Sequence, residues 1–439
     1  MIKKALKFLG LFLVFILLAK FIYSQGWFQV TITNSQSTAT PAPFQQDIAI
    51  CNGTLNIGSS FAYIDNSNLF NEINSNGSNV YFTINLGGNP NIYSWYEGQD
   101  NINGVICDVW WLNISNGIPA NSNITIYMNI GPNNANYYSQ YYPYVGEAPQ
   151  LSSTYGQYDN GNYVFNIYTN FAGTNIPSDW TVVSGSSGTD YIIDNGLQLK
   201  TTNAFIEGPN VSQNFILEGY FQFISNAYNG WDFGVYLSSS SAYGMHPDGD
   251  TNTNNWASTW IYNNGYTEIS SSGSPVGSGY YYLWQIINSN GNIITNFDYP
   301  NYNTIYSYSF TNSLSNGHIA LGRRFDGGET GQSLNVIFYW IRVRSYPPNG
   351  VMPSFSIQLA GPTPIISVNT STNFQFNVSF IDGISEYVNY TVYLNGSVLT
   401  TNNVSVTAGQ TLTIPYTYQY LFNQSGTYNL TVVAYGQTS

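Results

Sequence analysis

Apolar and polar residues alternate one by one along most of the chain, in short runs that stop at Asn, Gly or Pro. Phe28-Gln29-Val30-Thr31-Ile32 and Ile124-Thr125-Ile126-Tyr127-Met128-Asn129-Ile130 show the pattern, and Phe374, Phe376, Val378 and Phe380 repeat it near the C-terminus. A period of two places neighbouring side chains on opposite faces of an extended backbone. Each run therefore predicts a strand with one buried and one wet face. No stretch beyond the N-terminus carries apolar residues at helical spacing over a convincing length. Short strands punctuated by turn residues build sandwiches or barrels, so the predicted fold class is all-β, a tandem of β-sandwiches.

The N-terminus departs from that pattern. Phe8 to Ala19 is an unbroken apolar run behind Lys3, Lys4 and Lys7, which is the plan of a secretory signal. Residues 1–24 are read either as a signal peptide cut after Ser24 or as an uncleaved single-pass anchor. The run would rise only about 18 Å as a helix against roughly 30 Å of hydrocarbon, which favours cleavage. Phe21, Ile22 and Tyr23 would extend it if Lys20 snorkelled to a headgroup. Both readings place the remainder outside the cytoplasm, at a cell or virion surface. In that compartment the two cysteines, Cys51 and Cys107, are expected to form a disulfide.

Composition sharpens the exclusions. At 439 residues the chain is long enough for several domains, yet only 7% of it is charged while 17% is aromatic, with 39 Tyr. Four of the nine basic residues lie in the leader, leaving Lys200, Arg323, Arg324, Arg342 and Arg344 against 22 acidic ones. Nucleic acid as a partner is excluded on this balance, since phosphate contacts need clustered Lys and Arg. The same holds for an anionic lipid surface, so membrane attachment would come only from the N-terminal segment. A chain this poor in ion pairs loses little when carboxylates protonate, which would suit a strongly acidic exterior.

Residues 25–145 form the first expected unit. Trp27 to Asn34, Ile92 to Glu97 and Val109-Trp110-Trp111-Leu112, followed by Asn123 to Gly131, resemble a domain-of-unknown-function family of archaeal extracellular proteins, to which no enzymatic activity is attached. Residues 160–348 form the second. Asn170-Phe171, Pro177 to Trp180, Asp194 to Leu197, Asn214 to Gly219 and Phe338 to Arg344 resemble the concanavalin A-like, laminin-G-like jelly rolls. That resemblance implies a two-sheet sandwich with a concave face of the kind often used to bind carbohydrate. Residues 349–364, with Pro347-Pro348 before them and Gly361-Pro362-Thr363-Pro364 at their end, read as a stiff linker. Residues 365–439, with a hairpin turn at Asn395-Gly396, read as an immunoglobulin-like sandwich.

Several motifs suggest chemistry. From Gly361 onward seven of nine Asn residues stand in Asn-x-Ser/Thr triplets, namely Asn369, Asn377, Asn389, Asn395, Asn403, Asn423 and Asn429, where chance would give about two or three. They predict a glycan-shielded stalk. Asp248, Asp250, Asn252 and Asn254 place oxygen side chains at every second position, as a calcium loop does. The sixth position lacks Gly, and Thr259 rather than Glu stands at the twelfth, so a polar turn is the competing reading. Trp256, Trp260 and Tyr262 could form an aromatic platform for a sugar ring, or pack as core. Arg323, Arg324, Arg342 and Arg344 could clamp an acidic glycan, or pair internally.

No catalytic motif is present. A glycoside hydrolase, the enzymatic alternative, needs two carboxylates about 5 to 9.5 Å apart, and no Glu-x-Asp-x-x-Glu run occurs. Neither His246 nor His318 sits in a serine-nucleophile signature. The sequence thus points to a non-catalytic surface glycoprotein that binds glycans or surface glycoproteins through its middle domain, with calcium as the one conceivable cofactor. A self-assembling structural subunit of a surface layer, filament or virion is the rival.

Overall fold

The computed structural model describes residues 26–56, 61–224, 232–238, 241–248, 256–273, 281–298, 304–313, 316–322, 333–360, 372–381, 386–394, 397–406, 411–420 and 430–437. The leader lies outside them. No helix among the described residues is long and apolar enough to cross a membrane. The chain is all-β: the α-helices among the described residues are single turns at Ser67–Phe70, Tyr137–Tyr141 and Gly161–Val164. It divides into two compact units, Met1–Ala360 and Gly361–Ser439.

The larger unit is a stack of four sheets. The outermost has four strands in the order Ser354–Leu359, Gly26–Asn34, Ser122–Ile130 and Val80–Thr83. Its inward residues Val30, Ile32, Phe82 and Met128 meet Phe44, Ile48, Trp110 and Leu112 of a five-stranded sheet, closing the first core. That second sheet runs Tyr63–Asp65, Phe44–Cys51, Val105–Ile114, Ser94–Ile102 and Val145–Glu147. All eight residues of Phe44–Cys51 are buried, because the sheet is covered on both faces. Cys51 and Cys107 face each other in register on adjacent strands of it and are disulfide-bonded.

The third and fourth sheets form the second sandwich. The third has eight strands, with Ser333–Ser345 near its middle between Leu197–Thr201 and Phe215–Phe223. The fourth has seven, in the order Thr181–Ser184, Phe205–Ser212, Asn316–Gly322, Asp232–Ser238, Ser241–Asp248, Trp256–Asn263 and Tyr266–Gly273. Leu217, Trp284 and Phe338 of the third pack on Phe233, Tyr243 and Met245 of the fourth.

Residues 349–364 are not simply a spacer. Within them Ser354–Leu359 pairs with Gly26–Asn34, from Thr33 opposite Ser354 to Phe28 opposite Leu359. The flanking prolines suggest a linker, but Phe355 and Ile357 alternate with polar residues and bury against the first core. A strand that follows the second sandwich in the chain therefore completes the first. Residues 361–364 lie outside the described set.

The second and third sheets meet across a charged and aromatic layer. Arg342 is fully buried; its Nη1 and Nη2 donate to Glu97 at 3.1 and 3.3 Å, and its Nε donates to Glu218 at 2.6 Å. Arg344 donates through Nε and Nη2 to both oxygens of Glu218 at 3.1 Å. The Arg342 guanidinium carbon lies 4.5 to 5.3 Å from the rings of Trp340, Trp111, Phe165 and Trp95. Burial would raise the Glu218 carboxyl, but the two guanidiniums hold it down to about 2. An acidic-glycan clamp is therefore wrong for Arg342 and Arg344, which pair internally. Arg323 and Arg324 lie outside the described residues.

The smaller unit contains a two-stranded sheet, Thr372–Ile381 with Thr411–Tyr420, and a three-stranded sheet in which Glu386–Leu394 lies between Ser397–Val406 and Leu430–Gln437.

Candidate functional site

The outward face of the seven-stranded sheet carries a constellation of polar and aromatic side chains outside the main core. Phe233, Val235, Tyr243 and Met245 point into the sandwich. Their neighbours point outward and fall into cross-strand rows. One row runs Phe205, Gly322, Asp232, His246 and Ser258; the next runs Glu207, Ala320, Gly234, Gly244, Trp260 and Glu268; the third includes His318, Tyr236, Ala242, Tyr262 and Tyr266.

In the first row Asp232 Oδ1 lies 2.9 Å from His246 Nδ1, and both residues are buried. Asp232 Oδ2 is buried too and has no hydrogen-bond partner among the described residues. A buried acceptor left unsatisfied costs about 1 to 3 kcal/mol. The row contains Asp, His and Ser, yet the Ser258 hydroxyl donates to the His246 backbone carbonyl at 3.5 Å. Strand amides in the middle of a sheet are consumed by their ladders, so the described residues of this row offer no free N–H pair of the oxyanion-hole kind.

The second row explains the fate of Trp260. A Cβ on Gly244 would lie 2.8 Å from the Trp260 ring and would collide with the Phe233 carbonyl oxygen. Together with Ala242 and Ala320, this glycine leaves a depression into which the indole sinks, and Trp260 is 0% exposed. Tyr266 stacks on it at 5.9 Å. Trp260 is thus a packing residue, and its expected role as an open sugar platform is corrected. Tyr236, Tyr262 and Tyr266 remain half-buried around it.

Trp256 opens the strand Trp256–Asn263, but its side chain lies outside the described residues. Asp248 closes the preceding strand with its side chain likewise undescribed, and Asp250, Asn252 and Asn254 lie outside altogether. Among the described residues no three His, Cys, Asp or Glu side chains gather as metal ligands. Of the triplet asparagines, Asn403 is exposed and Asn389 half-buried, directly opposite each other on paired strands. Asn377 lies on a strand with its side chain undescribed; Asn369, Asn395, Asn423 and Asn429 lie outside. The Asp232 and His246 pair was missed because fourteen residues separate them and only the hairpin register brings them together.

No family model matches the chain. It is similar to Uncharacterized protein 562 of Sulfolobus islandicus rod-shaped virus 1, 28% identical over 379 residues, which cover 74% of this chain and 58% of that protein. The chain thus spans little more than half the length of this curated relative. Among solved structures it is similar to an endo-β-1,3-glucanase from Pyrococcus furiosus, with a TM-score of 0.32 at 11% identity over 42% of this chain and 94% of the other. It is also similar to carbohydrate-binding module CBM66 from Bacillus subtilis, with a TM-score of 0.30 at 14% identity over 38% and 96%. Similarity this loose assigns neither ligand nor activity.

Proposed function

We propose that this chain is an exported, non-catalytic glycoprotein of an archaeal virus surface that recognises carbohydrate on the outward face of its seven-stranded sheet. The observation that carries the reading is the cluster of half-buried Tyr236, Tyr262 and Tyr266 on that face, beside the buried pair of Asp232 and His246. Tyrosine faces suit the apolar side of a pyranose ring, and their hydroxyls can exchange hydrogen bonds with sugar hydroxyls. The disulfide supports an oxidising compartment, and the relative in a rod-shaped virus supports a viral source. Glu207 and Glu268 stand five strands apart in one row, roughly 24 Å at the usual strand spacing, far beyond the ~5 to 9.5 Å of a hydrolytic pair.

A glycan array probed with the exported chain and its Asp232→Asn and Tyr262→Ala variants tests this. Reproducible binding that both variants weaken supports it. Binding indifferent to both changes, or concentration-dependent assembly with no glycan bound, rejects it in favour of a structural subunit.

A further inference from the structure

At the other end of the stack, the outward face of the four-stranded sheet has a chemistry of its own. In register across its strands, Trp27 stands beside Asn129 and Asn129 beside Tyr81, while Gln29 stands beside Tyr127 and Thr31 beside Thr125. The remaining outward positions are Ser, Thr, Gln or Asn. No outward position of these strands is Asp, Glu, Lys, Arg or His. Trp27, Gln29, Thr31, Tyr127 and Asn129 are half-buried, and the Ser354–Leu359 edge exposes its polar residues. Trp27 meets Tyr81 edge-on at 5.7 Å, and Tyr137 braces the other side of Tyr81 at 4.9 Å while its hydroxyl donates to Asn129 Oδ1 at 3.0 Å. The aromatic end is therefore held in place by its neighbours.

We propose that this face is a second binding surface whose occupant is a neutral polysaccharide. A protein sheet docking here would bury side-chain amides and hydroxyls in numbers that apolar partners cannot satisfy. Nucleic acid and anionic lipid find no cation. A neutral glycan offers what the face accepts: apolar ring faces for Trp27 and Tyr127, and hydroxyls that both donate to and accept from Gln29, Asn129 and Thr31. From Trp27 to Thr33 the strand runs about 20 Å, long enough for several sugar units. Asn123, which heads an Asn-x-Thr triplet, lies at the end away from Trp27, so a glycan there would leave the aromatic end open. This surface is independent of the one around Asp232.

The test uses the exported chain and soluble laminarin, xyloglucan and mannan, with dissociation constants measured by calorimetry at about 0.05 and 1 M salt. The expected result is binding of at least one polysaccharide that salt leaves unchanged, weakened at least tenfold by Trp27→Ala with Tyr127→Ala and retained in Asp232→Asn. Gln29→Glu is the control against misfolding: it keeps the packing, places a charge in the face, and should weaken binding while leaving the melting temperature within a few degrees. Failure of all three polysaccharides to bind, full retention in the Trp27 and Tyr127 variant, or loss only with Asp232→Asn would each overturn the proposal.

Discussion

Replacing Arg342 by Met keeps most of the side-chain volume and removes the charge between the two sandwiches. The variant loses the two donors to Glu97 and one of the donors to Glu218. Glu218 keeps Arg344 and Gln285, the latter at 2.7 Å, so the larger injury falls on Glu97. Breaking a buried pair from one side costs about 3 to 5 kcal/mol. Lost cation–π contact with the surrounding indoles adds about 1 kcal/mol, which methionine sulfur against the same rings largely offsets. A net loss of about 4 kcal/mol should lower the melting temperature by roughly 10 °C, at the low end of the per-kcal shift because the unit is large. The cost should also depend on pH. Without Arg342 the Glu218 carboxyl, held down to about 2 in the parent, titrates higher in the folded variant, so the variant's deficit grows as pH rises through that raised value and shrinks as pH falls toward 2. Thermal or urea melts of parent, Arg342→Met, and Arg342→Met with Glu97→Gln at pH 7 and pH 3 read this directly. A deficit below about 1 kcal/mol, a deficit independent of pH, or no recovery in the double variant would refute the electrostatic account.

The parent's own stability should rise on acidification from pH 8 toward about pH 4. Burial lifts the Asp47, Asp108 and Asp298 carboxyls to about 7, so their contribution is full below the unfolded value near 3.9 and is lost as pH rises through 7. Glu218 works the other way, its contribution fading as pH falls toward 2; a melting temperature highest at pH 7 or above would contradict this balance. Replacing Cys51 and Cys107 by Ala frees a loop of 56 residues and should cost about 4 kcal/mol by denaturant melts, with a loss under 1 kcal/mol speaking against it. Asn389 and Asn403 sit directly opposite on paired strands, with Cβ atoms about 5 Å apart, so two bulky glycans cannot share the spot. Glycopeptide mapping should find Asn403, the exposed one, occupied and Asn389 bare, and double occupancy of single molecules would rule this out.

Strands and fold class were legible because a period of two is a local property. Gly26–Asn34 shows it in sequence and again in its alternating burial. The stacking of sheets was not legible in the same way, although it left a trace. Val109-Trp110-Trp111-Leu112 and Phe338-Tyr339-Trp340-Ile341 break the alternation with consecutive large apolar or aromatic residues, and these lie in strands whose two faces are both covered. The partners of Arg342 could not be read off, since Glu218 and Glu97 are 124 and 245 residues away. Trp260 illustrates the limit for sites: the sequence left a sugar platform and core packing both open, and whether the indole meets solvent depended on Gly244 of the next strand. The strand Ser354–Leu359 was hidden by its prolines, which stop a chain without preventing the residues between them from pairing.

A chain with so few charges concentrates several of them in one buried layer, and this bears on what the outer faces can do. Of the five basic residues beyond the leader, Arg342 and Arg344 lie between the second and third sheets, tied there by Glu97 and Glu218. That layer joins the sandwiches into one unit by directional bonds, whereas apolar contact alone would let them slide. With sheets stacked about 10 Å apart, the outward faces of the first and fourth lie back to back, roughly 30 Å from each other. The two faces proposed to bind glycan, so arranged, cannot both meet one flat surface. If both bind glycan as proposed, they bridge two surfaces, across a gap that the buried Arg342 and Arg344 layer holds fixed.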